Sequence, residues 1–516
     1  MGKRAIHPVL FALFPVLSLY SLNTALVPIS DLLKPILIVL GATLALWGLV
    51  TLILKDAARA AVGISLLVVC SFAFGHVFEI IEKNKLFVHY VRTRADLLNY
   101  WIPLLVLVFV LGCWKRKDSS VFNLPMNIVG LVLAGFPFLS ILVSWFNGMI
   151  GTKIVSATNS SHLKVTDRPD IYYVILDGYG RNDALKRVIG FKNDDFINGL
   201  EKRGFYIANE GRSNYCQTEL SLSSSLNLNY LSTIIPNMPP NSDDRRVLDT
   251  LINKNEVSRY LKSLGYRYEA VTTGFPSVRP ESADIWLHDE VGISYFSGAL
   301  LADVPFLPQV SQIVENQFDS RRDYINAAFK NLGDLAGPFT EPRFIFAHIL
   351  APHPPFVFGA KGEPTRTKKM LFAYVDGSDF FEYGGTVEDY KTGYANQATY
   401  LDGLVLKTVD RILKASPRPP IIIFQGDHGS KLRLNQQLLE KTDVNECFPN
   451  LNALYVPTEV RKNLYPGLTP VNTFRMIFNG LFGDHLAKLP DRSYYSGWLS
   501  PYKYVDVTDQ IKPVSP

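Results

Sequence analysis

Two stretches of this chain end in residues that ligate metals. Gly426-Asp427-His428-Gly429 sets a carboxylate beside an imidazole directly after Pro420-Ile421-Ile422-Ile423-Phe424-Gln425, and Ile171-Tyr172-Tyr173-Val174-Ile175-Leu176 stops at Asp177-Gly178. Near-continuous apolar runs of this length mark strands covered on both faces of an α/β sheet. Open sheets place their sites at the carboxyl ends of such strands. Two strand ends of this kind would aim the oxygens of Asp177 and Asp427 and a nitrogen of His428 at one point, a ligand set for Zn²⁺ or Mn²⁺. Asp177-Gly178 taken alone also reads as a turn.

Thr218 is the candidate for the fourth metal position and for a nucleophile. Ser213 and Asn214 can cap a helix, and Leu220, Leu222 and Leu226 recur at helical spacing, so Thr218 falls in a first turn. Backbone N–H groups there lack intrahelical acceptors and favour an anionic oxygen. A threonine hydroxyl is a poor nucleophile at neutral pH, and no histidine or lysine adjoins Thr218 in sequence to act as its base. Coordination to a divalent cation would lower its pKa. The helix N–H groups and Asn214 would then hold the other phosphoryl oxygens.

His353 is held between Pro352 and Pro354, just past the run Arg343–Leu350. A rigidly placed imidazole there suits phosphate binding or protonation of a leaving alkoxide. His348, which alternates with apolar neighbours in that run, reads as a buried hydrogen-bonded residue and is grouped with Asn214 and His353 on the substrate side. A covalent phospho-threonine, resolved by a second alcohol or by water, follows from this set.

The elements that must position these residues fall after residue 168. Residues 151–169 read as a Ser-, Thr- and Lys-containing linker, and 170–516 as one α/β domain. Tyr390–Leu413 reads as an amphipathic helix covering the sheet. Asp284, Trp286 and His288 share a loop and are a substrate wall or a packing cluster.

Residues 1–150 read differently. The whole chain is 516 residues, 47% hydrophobic and 19% charged, and its apolar excess lies in five runs: Val9–Ile29, Pro35–Leu54, Ala57–Glu79, Tyr100–Trp114 and Phe122–Phe146. Each is long enough, or nearly so, to cross a bilayer. Lys3, Arg4, Lys55, Arg59 and Lys115-Arg116-Lys117 fall on one side of that arrangement, which places the N-terminus in the cytoplasm and everything after residue 150 outside. The opposite loop, 80–99, carries Lys83, Lys85, Arg92 and Arg94, and reads as solvated or as lying along headgroups.

The net charge of +5 is small and dispersed, without zinc-finger spacing or a dense basic tract, which excludes a nucleic-acid partner. Cys216 and Cys447 would both lie outside the cytoplasm, where a disulfide can survive. The spacing leaves their pairing open.

Taken together, Asp177, the Asn214-Tyr215-x-x-Thr218 segment, the His353 loop and Gly426-Asp427-His428-Gly429 resemble the alkaline-phosphatase/sulfatase superfamily. Asn452-Ala453-Leu454-Tyr455-Val456-Pro457 and Val471-Asn472-Thr473-Phe474-Arg475 extend the likeness over roughly 168–500. With membrane helices in front, the architecture is similar to lipoteichoic acid synthases and bacterial phosphoethanolamine transferases. The resemblance implies an N-terminal bundle of five transmembrane helices and a C-terminal α/β sandwich facing the periplasm or cell exterior. It implies transfer of phosphoethanolamine or phosphoglycerol from a phospholipid donor to an envelope glycan or lipid acceptor. A phosphatase or phosphodiesterase, or a non-catalytic phosphoglycan-binding scaffold, are the alternatives.

By position the resemblance assigns Asp177, Thr218, Asp427 and His428 to the metal, Thr218 to the nucleophile and His353 to the substrate phosphate. Asp177 stands where the transferases commonly have Glu. No histidine follows His428 until His485, which points to one divalent metal, Zn or Mn. Cys216-Gln217-Thr218-Glu219 lacks the proline and arginine of the formylglycine motif, which argues against sulfate-ester hydrolysis.

Overall fold

The computed structural model describes residues 4–512 except 25–26, 28, 85–86, 88–89, 92, 116–117, 150–167, 276, 281, 288–294, 303, 306–309 and 366–374. Most of the expected linker, and His288, lie outside the described residues. The chain forms two compact units, Met1–Gly151 with Gly292–Asn316, and Thr152–Val291 with Gln317–Pro516.

The first unit contains α1 (His7–Ser21), α2 (Ser30–Leu54), α3 (Ala57–Lys83), α4 (Arg94–Gly112) and α5 (Asn123–Met149). Among the described residues, four segments, Asp31–Leu54, Ala57–Ile81, Arg94–Gly112 and Ser120–Phe146, are long and apolar enough to cross a membrane. Leu37, Leu44, Leu49 and Leu52 on α2 and Leu131, Phe136 and Leu139 on α5 are exposed, as lipid-facing positions are.

The expected first span is not among the four. α1 has 15 residues, which at about 1.5 Å per residue falls short of a hydrocarbon core of about 30 Å. Its run is apolar well beyond Ser21, but Asn23 donates its side-chain amide to the Leu19 carbonyl at 2.7 Å where the helix ends. Polar contacts fix its other end: buried His7 meets Ser65 Oγ through Nδ1 at 2.6 Å and Asn123 Oδ1 through Nε2 at 3.3 Å.

A second departure concerns 292–316, expected in the outer domain but grouped with the first unit. The apolar helix Tyr295–Ala302 buries Phe296 and Leu300 among Val16, Leu17 and Tyr20, with the Phe296 ring edge-on to Tyr20 at 6.1 Å. An apolar face of this kind is stable only where other apolar side chains cover it.

The second unit is built on a seven-stranded sheet. Its strands are β1 (Ile171–Leu176), β2 (Tyr206–Ile207), β3 (Arg267–Thr272), β4 (Ile285–Leu287), β5 (Arg343–Ile349), β6 (Ile421–Gln425) and β7 (Asn452–Tyr455), in the order β2-β7-β6-β1-β5-β3-β4. β6, β1, β5, β3 and β4 run parallel, while at one edge β7 pairs antiparallel with β6 and β2 antiparallel with β7. Every residue of β1, β5 and β6 is buried, which is why their sequences read as unbroken apolar runs.

One face is covered by the helix Pro470–Phe482, whose Phe474 ring stands edge-on to Tyr173 at 5.0 Å. The helix Val387–Ala415, started by a Thr386/Asp389 capping box, buries Tyr390, Tyr394, Gln397 and Leu401. A two-stranded ribbon, β8 (Tyr494–Gly497) and β9 (Ser500–Asp506), follows. Asp284 and Trp286 serve packing: Asp284 accepts from the Tyr268 N–H at 2.9 Å, and Trp286 donates to Thr272 Oγ1 at 2.9 Å.

Candidate active site

Register puts the chemistry at one end of the sheet. β1 pairs Ile175 with His348 of β5 and with Gln425 of β6, so Asp177 and the Asp427-His428 pair leave adjacent parallel strands side by side. Asp177, Asp427 and His428 offer ligand atoms within 4.8 Å of one another, all buried. A glycine before and after the pair is required: a Cβ at Gly426 would run into the Tyr179 carbonyl, and one at Gly429 into the Glu446 carbonyl.

Thr218 enters from the other side of this cluster. It is the first residue of the helix Thr218–Ser225, with Gln217 in extended conformation at the N-cap, so the expected first-turn placement is what the structure shows, although neither Ser213 nor Asn214 is the cap. Its Oγ1 lies 3.4 Å from Asp177 Oδ2 and 3.3 Å from His428 Nε2. Ser221, one turn on, donates to the Asp427 carbonyl at 2.6 Å and ties the helix to the β6 end.

Hydrogen bonds leave the atoms of this cluster poised for a cation. Asp427 Oδ1 accepts from the Gly178 and His428 N–H groups at 3.0 and 3.1 Å, while its Oδ2 is buried without a hydrogen-bond partner. Asp177 Oδ1 is likewise unpartnered, and its Oδ2 takes the His348 Nε2 contact at 3.2 Å. His428 donates from Nδ1 to the Gly429 carbonyl at 2.8 Å, which leaves Nε2 as the ligand atom, 3.5 Å from Asp177 Oδ1 and 3.2 Å from Asp427 Oδ2.

Two orphaned carboxylate oxygens and an imidazole nitrogen facing one point fit a divalent ion of the zinc or manganese kind. Burial works against a charged Asp177, but His353, the His348 hydrogen bond and His428 outweigh it and hold the carboxyl well below the usual range. Burial first, and then the charge of Asp177, push Asp427 up to about 7. Such a pair is strained until a cation joins it. Zn²⁺ or Mn²⁺ is therefore expected to raise the melting temperature by several degrees, reversed by EDTA, since binding at a thousandfold excess over Kd adds about 4 kcal/mol. Unchanged scanning calorimetry with and without metal would count against the site.

His353 sits on the loop after β5. Its Nδ1 donates to the Pro354 carbonyl at 2.6 Å and its Nε2 faces Asp376 Oδ2 at 3.7 Å. Buried Arg321 and Gln397 grip that loop, donating to the His353 carbonyl at 2.9 and 3.3 Å. The sequence pointed to none of Asp376, Arg321 or Gln397; a long helix bearing Gln397 was its only signal.

Asn214 and His348 each have a structural role that their sequence context did not mark. Asn214 was grouped with the substrate, but its amide donates to the Arg492 carbonyl at 2.8 Å and to Tyr230 Oη at 3.3 Å, and its Oδ1 accepts from the Val471 N–H at 2.9 Å. With its side-chain amide engaged and the residue buried, Asn214 fastens the loop before Thr218. His348 stands behind Asp177, fully buried, and its Nε2 is engaged there. From there it orients the carboxylate. Cys216 and Cys447 are both free thiols within one apolar cluster.

A parallel sheet whose strand ends gather two carboxylates, an imidazole and a helix-start hydroxyl defines the class of metal-dependent α/β proteins that includes alkaline phosphatases and sulfatases. The sulfatase family model matches residues 213–477, just over half of the chain, and the chain belongs to that family. Comparison with the curated proteins finds no match.

Among solved structures, the C-terminal periplasmic domain of EcEptC from Escherichia coli, in complex with Zn, is similar at a TM-score of 0.45 and 12% identity, over 69% of this chain and 97% of that one. The integral membrane protein lipooligosaccharide phosphoethanolamine transferase A (EptA) from Neisseria meningitidis is similar over 93% of this chain and 95% of its own, at a TM-score of 0.39 and 12% identity. The phosphonate monoester hydrolase of Agrobacterium radiobacter covers 64% of this chain and 80% of its own, at a TM-score of 0.37 and 12% identity.

Proposed function

We propose that this protein is a membrane-anchored phospho-headgroup transferase that moves phosphoethanolamine or phosphoglycerol from a phospholipid to an envelope glycan or lipid through a phospho-Thr218 intermediate. The observation that carries the reading is Thr218 Oγ1 itself: buried, at a helix start, within 3.4 Å of Asp177 and 3.3 Å of His428. Asp177, Asp427, His428 and Thr218 would hold a divalent ion, which would supply Lewis acidity and lower the hydroxyl pKa.

The chain's own groups do the rest. Thr218 Oγ1 forms a bond to phosphorus as the bond from phosphorus to the diacylglycerol oxygen breaks, and the hydroxyl proton is released to water. The first-turn N–H groups meet the phosphoryl oxygens. His353, with Nδ1 engaged by Pro354, presents Nε2 as the atom that gives a proton to the departing alkoxide and later takes one from the acceptor alcohol. Asp376 faces that same nitrogen and sets its orientation.

Membrane attachment supports a lipid donor. Lys55 and Arg59 lie at the α2–α3 turn and Lys115 follows α4, so four crossings from α2 to α5 with those two turns in the cytoplasm leave residues after α5 outside. This orientation does not depend on whether α1 crosses. It supports a catalytic domain on the periplasmic or exterior side of a bacterial cytoplasmic membrane.

The test is intact mass of the full chain after incubation with Mn²⁺ or Zn²⁺ and mixed phospholipids. An adduct of about 123 Da for phosphoethanolamine or about 154 Da for phosphoglycerol, absent in Thr218→Ala, is the expected result. Lipid turnover with water as the only acceptor would make the protein a phosphodiesterase. Absence of both adduct and turnover would remove the phospholipid donor.

A further inference from the structure

Thr218 has a polar neighbour on each side, Gln217 and Glu219, and both are buried. One guanidinium holds the two. Arg245, also buried, donates from Nη2 to Gln217 Oε1 at 2.6 Å and from Nη1 to Glu219 Oε2 at 3.2 Å. The same Nη2 donates to the Trp498 carbonyl at 2.8 Å, and the guanidinium lies 3.9 Å from the centre of a Trp498 ring. Gln217 is fixed from its other end, where Nε2 donates to the Ser496 carbonyl at 2.8 Å. Arg245 stands at the N-cap of the helix Arg246–Asn253, whose Leu248 and Leu251 share an apolar cluster with Tyr215 and Leu220.

These contacts bear on the start of the Thr218 helix. An N-cap side chain ordinarily accepts a hydrogen bond from a first-turn N–H. Gln217 is the N-cap, yet it makes no side-chain bond to the helix it precedes; Arg245 has taken its oxygen. Glu219 is the acid of the first turn, and a carboxylate there competes with an incoming anion for the positive end of the helix. Arg245 neutralises it, and Ser277 Oγ donates to its other oxygen at 3.5 Å. Burial and the Glu219 charge hold the nearby Asp249 carboxyl well above its usual range, which leaves Glu219 as the carboxylate that Arg245 answers. A buried arginine–glutamate pair adds little stability over an apolar pair of the same volume, so its place beside Thr218 calls for another reason.

We infer that Arg245 is the positioning residue of the nucleophile: by holding Gln217 and Glu219 on either side of Thr218, it keeps the first-turn N–H groups free for the phosphoryl oxygens. The assignment rests on the proposed reading of Thr218 as phosphoryl acceptor and deepens it. Arg245 touches no substrate. It removes the two acceptors within the chain that would otherwise compete with a phosphoester anion.

The experiment uses the full chain in detergent, loaded with Zn²⁺ or Mn²⁺. Affinity for inorganic phosphate is read by calorimetry, stability by melting, and the Thr218 adduct by intact mass. Arg245→Met is expected to bind phosphate about 10- to 100-fold more weakly and to form adduct more slowly by at least as much, with metal affinity within several-fold of wild type. Glu219→Gln keeps an oxygen for Arg245 and loses the competing charge. It should melt lower than wild type yet bind phosphate as tightly or up to about tenfold more tightly. A merely structural Arg245 would make phosphate affinity and melting temperature fall together in both variants. If Arg245→Met fails to fold, Gln217→Ser carries the same expectation, because its short hydroxyl can cap the first-turn N–H groups instead of meeting Arg245.

Phosphate binding at wild-type strength in Arg245→Met, or in Gln217→Ser where that variant replaces it, overturns the assignment. So does phosphate affinity that drops with stability in Glu219→Gln, or a wild type that binds no phosphate. The two readings fail separately. A Thr218 adduct that forms at the wild-type rate without Arg245 removes the positioning role and leaves the transferase. The expected phosphate pattern with no adduct from any phospholipid keeps Arg245 and removes the lipid donor.

Discussion

Thr218→Ala is expected to lower headgroup release from labelled phospholipid by at least about 10⁴-fold, while the protein folds and still takes up metal. Loss of a covalent nucleophile has effects of that size or larger, because the residual rate comes only from groups that bind and polarise the substrate. Asp177, Asp427 and His428 all remain in the variant, and their hydrogen bonds to His348, Gly178 and Gly429 do not pass through Thr218. The hydroxyl's contact with Asp177 is long, at 3.4 Å, so its loss from the metal-free protein should change stability by less than about 1 kcal/mol.

Thr218→Ser separates the hydroxyl from the side-chain shape. Serine keeps the oxygen but loses the methyl group that restricts χ1, and a partial loss of about tenfold is expected, with the mass adduct still formed. Turnover by Thr218→Ala above about 1% of wild type would show that another group attacks phosphorus, and the phospho-threonine route would fall.

How much of this site could be read from the chain depends on where each residue's partners lie. Asp177, Asp427 and His428 were legible because each follows a strand buried on both faces, and such strands announce themselves as apolar runs. Thr218 was legible because helical spacing begins right after it. The structural role of Asn214 was not legible, for the opposite reason. Its partners, Val471 and Arg492, lie more than 250 residues away, and nothing local marks an amide as already engaged. Asp376 comes from a loop whose burial is set by tertiary packing, so its charge reads as solvated until the fold is seen. In the first unit, an apolar run to Ile29 gave no sign that α1 ends at Ser21. The segment 292–316 gave none that Phe296 and Leu300 pack with α1.

Asp427→Asn is expected to reverse sign with metal. In the metal-free protein Asp427 Oδ1 accepts two backbone N–H groups while Oδ2 faces the Asp177 charge without a partner. An asparagine keeps the accepting oxygen and places an N–H donor where Oδ2 stood. The folded-state pKa of Asp427 is raised to about 7, above its value in the unfolded chain. Between the ordinary carboxylate pKa and about 7 the unfolded chain therefore binds fewer protons than the folded one, and stability falls as pH rises. Asparagine removes that loss. Near pH 8, without metal, the variant should melt a few degrees above wild type, a gain on the order of 1–2 kcal/mol.

With Zn²⁺ or Mn²⁺ the order should invert. An amide oxygen already engaged by two N–H groups is a poor substitute for a carboxylate ligand, and affinity should fall by about 10³-fold or more. Wild type would then gain stability from metal that the variant does not. Melting curves of both proteins, each with EDTA and with metal, decide the matter. If Asp427→Asn is the less stable protein in EDTA, the carboxylate is held by packing and hydrogen bonds for the fold's sake. If it is the more stable, the chain carries a destabilising pair of acids whose relief is the binding of the ion.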